Sequence, residues 1–474
     1  MIFLRWPLLT KIMNFFRTLS AVTTVAVTST TAQSQVDISS DLESIRLNRH
    51  MPGLSAMAVK QGRIMAQGAT GLRRQGQAAP LLVSDPINIA SCTKWMTATI
   101  AGRLVDRGVV SWNTRVRDLF TNYATFNTAF HNATLDQLLA HRAGVQSGGT
   151  FENNHWSQLM ARSGTIAEIR RWVSDTVMKD APEVTPGNYL YSNQGYTVAA
   201  TMLELAVGKD WETLVREEVF TSLRMKTATL GQVDDGLLPP KAPVGHDLGS
   251  GQTVPVPRSP MNAATHLRYQ ASNAAGGFVA CTLQDWAKFL HAHATGEVND
   301  YVAAATDTQL QQAYTGAGTD GYGRGIYAAN RSWATPGQAL NHSGDIFGQN
   351  TVVWMAPARD FIVVVFTNCR SADSSTSLAL DDVSSLLVGR YSGAAASGPV
   401  MEIPVSLPLR RVGTDYAFDF LTLPGVPYVV QVSSDLSGWL PANGSAGPTA
   451  TSYKTSWLDT DPGKIRFFRA KAAP

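Results

Sequence analysis

Short apolar runs around turns occur in two widely separated parts of the chain, with helical spacing between them. Leu54–Val59 and Arg63–Ala69 flank a Gln61-Gly62 turn and predict a β-hairpin. Ser91–Arg107 predicts a helix, with Ala98, Ala101, Leu104 and Val105 on one face and Gly108 as its stop. Helical spacing recurs at Leu135–Ala140, Ile166–Val173, Tyr196–Ala206, Trp211–Val219 and Leu283–His293, the last with Thr282 as N-cap. Strands return at Thr351–Met355 and Phe361–Phe366 around a Pro357 turn, and Ser377–Val388 predicts a last helix.

The pattern then breaks. Residues 392–399 are small and uncharged and predict a flexible linker. Residues 400–474 hold short alternating runs such as Tyr428-Val429-Val430-Gln431-Val432 and predict a small all-β module. No internal repeat of fixed period is present. At the other end, Lys11 and Arg17 precede the apolar run Leu19–Val27, followed by Thr30-Thr31-Ala32. Basic, apolar and small residues in that order predict a signal peptide over 1–32, cut after Ala32, and a secreted or periplasmic chain. The mature chain has no run long and apolar enough to span a bilayer. The expected units are therefore 1–32, a large domain over 33–391, the linker, and the module.

Composition narrows the function. The 474 residues are 44% hydrophobic, enough for a large core, and net charge is +3. Charged residues are only 16%, against ~25% in an average protein, so a nucleic-acid partner is not expected. Cys92, Cys281 and Cys369 show no Cys-x-x-Cys spacing, which argues against a structural zinc site. A Cys281–Cys369 bridge stays open.

In so sparsely charged a chain, Lys94 three residues after Ser91 is informative. One helical turn puts both side chains on one face. A serine hydroxyl is a weak nucleophile and needs an adjacent base. A lysine amine serves as that base only if burial or a helix dipole lowers its pKa. Taken alone, Ser-x-x-Lys also fits a capping serine beside a surface lysine. Tyr191-Ser192-Asn193 adds a tyrosine whose pKa a nearby ammonium would lower, and an asparagine able to hold a substrate amide. His342-Ser343-Gly344 precedes the strand at Thr351, with Gly344 allowing close approach of a ligand backbone. His141 reads as a buried structural histidine and Cys92 as a small packed hydrophobe.

These blocks together resemble the serine β-lactamase and penicillin-binding-protein superfamily, and its class C branch in particular. Ile89-Ala90-Ser91-Cys92-Thr93-Lys94 resembles the nucleophile motif, Tyr191-Ser192-Asn193 the Tyr-x-Asn, and His342-Ser343-Gly344 stands where that branch has Lys-Thr-Gly. Leu135–Gly144, Ala275-Gly276-Gly277 with Asp285, and Tyr322-Gly323-Arg324-Gly325 resemble flanking family text, over roughly 38–390 in all. The resemblance implies an α+β fold: a mostly antiparallel sheet flanked by helices, with an inserted helical region and the active site between them. It implies Ser91 as nucleophile, with Lys94 and Tyr191 as coupled base and acid. Asn193, His342, Ser343 and Gly344 would bind substrate, and the backbone N–H groups of Ser91 and Asp345 would form the oxyanion hole. It implies no metal and no organic cofactor. Histidine in place of lysine removes a fixed charge and is familiar from D,D-peptidases, esterases and aminopeptidases of the superfamily.

The expected activity is acyl-enzyme hydrolysis of small-molecule or peptide esters or D-aminoacyl amides. Two alternatives stand beside it: a β-lactamase or penicillin-binding protein, and a non-catalytic binding protein that keeps the fold. No Gly-x-Ser-x-Gly elbow and no His-Glu-x-x-His is present. Tyr428–Trp439 resembles a short β module at the end of many secreted bacterial proteins, with Trp439 capping its core. That implies cell-surface or polymer contact, or a passive appendage.

Overall fold

The computed structural model describes residues 35–401, apart from 235, 239, 295–300 and 317, together with six strand segments between 410 and 472. The expected signal peptide and Trp439 lie outside the described residues.

The chain begins with β1 (Val36–Asp37), α1 (Ser39–Asn48) and the hairpin β2 (Gly53–Lys60) and β3 (Arg63–Gly71). A short β4 (Ile87–Asn88) runs into a 3₁₀ turn at Ala90–Cys92 and then α2 (Thr93–Asp106). A helical region follows: α3 (Val116–Leu119), α4 (Leu135–Leu139), α5 (Gly148–Met160), α6 (Ile166–Lys179), α7 (Asn193–Val207) and α8 (Trp211–Val215). Short strands β5 (Thr229–Leu230), β6 (His246–Leu248) and β7 (Val256–Pro257) precede α9 (Ala263–Gly277), β8 (Val279–Cys281), α10 (Leu283–Ala294) and α11 (Ala304–Gln311). The domain closes with β9 (Gly321–Tyr322), β10 (Tyr327–Ala329), β11 (Ala339–Ile346), β12 (Gln349–Ala356), β13 (Phe361–Thr367), β14 (Cys369–Ser371) and α12 (Ser375–Tyr391).

Strands from both ends of the domain share one eight-stranded sheet, in the order β1-β3-β2-β13-β12-β11-β10-β9. Every pairing is antiparallel except β1 with β3. The Phe361–Phe366 run is wholly apolar because both faces of the sheet are covered. Ile362, Val364 and Phe366 pack toward the helical region with Met57, Trp95 and Phe289. Phe361, Val363 and Val365 pack the other way, with Leu42 of α1 and Val383 and Leu387 of α12. Full burial of each such side chain contributes ~1.5–3 kcal/mol. The α+β fold is thus a sheet between two helical layers, with the inserted helices α3–α8 on one side.

Thr282 caps α10 as expected, accepting from the Asp285 N–H at 3.3 Å. The stretches 146–154 and 245–273 contain most of α5 and α9. The segment 392–399 does not hang free. Lys60 Nζ donates to the carbonyls of Ser392 and Ala394, and Ile64 N–H donates to Pro399 O at 2.9 Å, so the segment lies along the β2–β3 turn. Beyond it, β15 (Arg410–Val412), β16 (Asp415–Leu421), β17 (Tyr428–Ser433), β18 (Leu440–Pro441), β19 (Lys454–Asp459) and β20 (Phe467–Ala472) form two sheets, β15-β16-β19 and β18-β17-β20. Cys92, Cys281 and Cys369 are buried free thiols. No described helix is long and apolar enough to cross a membrane.

Candidate active site

Ser91 sits in the 3₁₀ turn rather than in α2, and its neighbour Ala90 is left-handed at φ 47°. That backbone is unfavourable for a residue with a Cβ, and such strain concentrates at functional sites. The turn is wedged against β11. A Cβ on Gly344 would lie 2.5 Å from Ile89 O and 2.8 Å from Ala90 Cβ. Gly344 therefore admits the nucleophile turn. From the opposite side Gly325, at φ 85°, packs its backbone on α2, where a Cβ would meet the Trp95 backbone at 2.6 Å.

Lys94 is fully buried in the first turn of α2. Its Nζ donates to Ser91 Oγ at 3.1 Å, Asn193 Oδ1 at 2.7 Å and Gly276 O at 2.8 Å. Burial lowers its pKa to about 7, so roughly half the amines are neutral at pH 7. The Gly276 carbonyl comes from the end of α9, which a second bond from Thr97 Oγ1 to Ala275 O (2.7 Å) ties to α2. A backbone carbonyl carries no residue signature, and this partner was not foreseen.

Tyr191 and Asn193 flank the N-cap of α7. Ser192 Oγ accepts from Gly195 N–H at 2.9 Å and donates to Gln146 O at 2.6 Å. The Tyr191 ring lies 4.7 Å from Lys94 Nζ, and the Ser91 hydroxyl is a polar neighbour of the Tyr191 hydroxyl. Its pKa moves against expectation. Burial pushes it up, outweighing the lowering effect of the Ser91 hydroxyl. At neutral pH the group is a phenol, able to give a proton. Asn193 accepts from Lys94 through Oδ1, which leaves its amide NH2 as the donor for a substrate.

His342-Ser343-Gly344 lies inside a strand of its own, β11, just ahead of β12. Polar residues hide the strand from hydropathy, yet they pair with β12 from Leu340↔Met355 to Ile346↔Gln349. His342 is 3% exposed. Its Nδ1 lies 2.6 Å from Ser343 O and its Nε2 lies 3.3 Å from the Tyr322 hydroxyl. Burial, with the Lys94 charge, lowers its pKa to about 3. The ring is neutral, and both of its nitrogens lie against protein partners. Ser343 and Asp345 point the other way and are exposed. Because β10 pairs only with Ala339–Asn341, residues 342–346 keep one strand edge without a strand partner among the described residues. That edge is next to Ser91 and can receive an extended substrate.

The other family-like segments brace these groups. Arg324 is buried and clasps Asp136 of α4 through Nε–Oδ1 (2.7 Å) and Nη2–Oδ2 (3.0 Å). Asp285 accepts from the Thr227 N–H at 2.7 Å and from Lys288 at 2.8 Å, away from Ser91. Tyr189 and Tyr327 join through their hydroxyls at 2.6 Å over the aromatic side of the site.

A family model described as Beta-lactamase matches residues 27–383. The chain belongs to the Beta-lactamase family. Within that family it is similar to penicillin-binding protein 4 of Amycolatopsis lactamdurans, 24% identical over 343 residues, which are 69% of this chain and 83% of the relative. Among solved structures it shares its fold with EstCE1, a hydrolase with promiscuous acyltransferase activity (TM-score 0.59, 15% identity, 73% of this chain and 97% of the other). It also shares it with the D-amino acid amidase of Ochrobactrum anthropi SV3 (TM-score 0.54, 21% identity, 73% and 96%).

Proposed function

We propose that this Beta-lactamase-family chain is an exported serine hydrolase that cleaves ester or D-aminoacyl amide bonds through an acyl-enzyme on Ser91. One observation carries the reading: a buried amine of pKa about 7 stands 3.1 Å from a partly exposed serine hydroxyl. Neutral Lys94 takes the Ser91 proton as Oγ attacks the substrate carbonyl. The oxyanion forms against the backbone N–H groups of Ser91 and Asp345. The Tyr191 phenol gives its proton to the leaving alcohol or amine, and the proton on Lys94 replaces it. Water then repeats the sequence on the acyl-enzyme, releasing the acid and restoring Ser91.

The buried, neutral His342 favours esters and amides over β-lactams, because it supplies no cation for a lactam carboxylate. Export rests on the charge and hydropathy order of residues 1–32. The test is p-nitrophenyl butyrate turnover by the full chain. Turnover abolished in Ser91→Ala supports the reading, and turnover retained there defeats it. Nitrocefin turned over faster than the ester would favour a β-lactamase.

A further inference from the structure

We propose that His141 is the positioning residue of this hydrolase, clamping Tyr191 from both sides of its backbone. The proposal rests on the serine-hydrolase reading and names what fixes its proton donor. His141 is the second residue after α4, and its carbonyl accepts from the Leu190 N–H at 2.9 Å. Its ring Nδ1 accepts from the Ser192 N–H at 3.0 Å. The two residues flanking Tyr191 are thereby held by one histidine. The same ring packs on the Tyr191 ring, centroid to centroid 4.3 Å, and on Tyr322 at 4.7 Å. Tyr191 is thus fixed in backbone and in ring plane, which sets the direction of its hydroxyl.

Three further features separate this from ordinary packing. His141 is left-handed at φ 58°. Glycine or asparagine ordinarily occupies such a helix end, so a histidine carries a strain it would shed if only the turn mattered. The ring is also neutral: burial, with the charge of Lys94, holds its pKa well below the usual value. Neutrality leaves Nδ1 as acceptor and places the hydrogen on Nε2. That Nε2 is buried without a hydrogen-bond partner. An apolar side chain would avoid this orphan donor, so its retention points to the Nδ1 acceptor as the group the site needs.

The experiment is p-nitrophenyl butyrate kinetics on the full chain, with thermal unfolding of each variant as a control. His141→Asn puts Oδ1 near the Nδ1 position and tolerates the left-handed backbone, so kcat stays within about fivefold. His141→Gly keeps the backbone but loses the acceptor, and kcat falls about 100-fold while KM changes less than about threefold. In a Tyr191→Phe background the same His141→Gly change costs less than about threefold, because the group it positions is gone. A folded His141→Gly with unaltered kcat overturns the proposal. So do losses that multiply in the double variant, or a folded His141→Asn as impaired as His141→Gly. An unaltered chain without turnover and without an acyl adduct overturns the hydrolase reading together with this one. Multiplicative losses in an active enzyme overturn the clamp alone.

Discussion

Lys94 Nζ stands 3.1 Å from Ser91 Oγ, and its other two hydrogen bonds go to uncharged oxygens, Asn193 Oδ1 and Gly276 O. The one charge that would favour its ammonium form is a Cys92 thiolate, and burial raises that thiol to a pKa of about 12. An amine in such surroundings gives up its proton easily. That property suits a base and would serve no purpose in a surface ion pair.

The rate should follow the amine. Its pKa falls from 10.5 to about 7, so the base form is scarce below pH 6 and dominant above pH 8. Plotted against pH, kcat/KM for p-nitrophenyl butyrate should rise with a midpoint near 7. A profile flat from pH 5.5 to 8.5, or one falling over that range, would contradict Lys94 as the base.

Asn193→Asp places a carboxylate where a neutral oxygen now sits, 2.7 Å from Nζ. An opposite charge at that range favours the ammonium form. The rising limb should move up by at least about one pH unit, lowering activity about fivefold or more at pH 7 and restoring much of it near pH 9. An unmoved limb would show that Asn193 does not set the state of Lys94.

Gly344→Val tests the seat of the nucleophile turn. Its Cβ alone would press on Ile89 O and Ala90 Cβ, and overpacking of this kind costs ~1–3 kcal/mol. Urea unfolding should show that loss, and fluorophosphonate labelling of Ser91 should fall with it. Gly389→Ala is the control: it meets nothing within 4 Å, and within α12 it should gain roughly 0.5–1 kcal/mol.

Asp136→Asn removes the charge that buried Arg324 faces. Breaking one partner of a buried pair costs ~3–5 kcal/mol, more than replacing both. Denaturant titration should show the single variant less stable than Asp136→Leu/Arg324→Leu, and the reverse order would argue against a strong pair.

Much of this was legible in the chain, for reasons that differ by element. Helix α2 announces itself by helical spacing of buried side chains, and the β2–β3 hairpin, β12 and β13 by short apolar runs around turns. Helix α5 does not: it opens on Gly148-Gly149 and depends on its Ser147 cap and on buried Phe151 and Leu159. Helix α9 is buried through Ala271, Ala274 and Ala275, small residues that raise no hydrophobic stripe. Strand β11 is polar because it borders the site. Ser91, Lys94 and Tyr191 were readable as a motif and are together in space. The protein partners of His342, Gly344 and Asn193 were not legible, because burial, close backbone approach and hydrogen-bond direction are properties of the folded chain. His141 read as a structural histidine, since nothing in its spacing ties it to residue 191, fifty positions away.

Acyl transfer through Ser91 is tested most directly by intact-mass spectrometry of the full chain. The protein is quenched during incubation with p-nitrophenyl esters, a D-alanyl peptide and a β-lactam, followed by peptide mapping. The expected result is a mass gain of one acyl group on the peptide carrying Ser91, formed with an ester or the D-alanyl substrate and absent from Ser91→Ala. Turnover that persists in Ser91→Ala, or an unaltered chain that never gains an acyl group at Ser91, would contradict it.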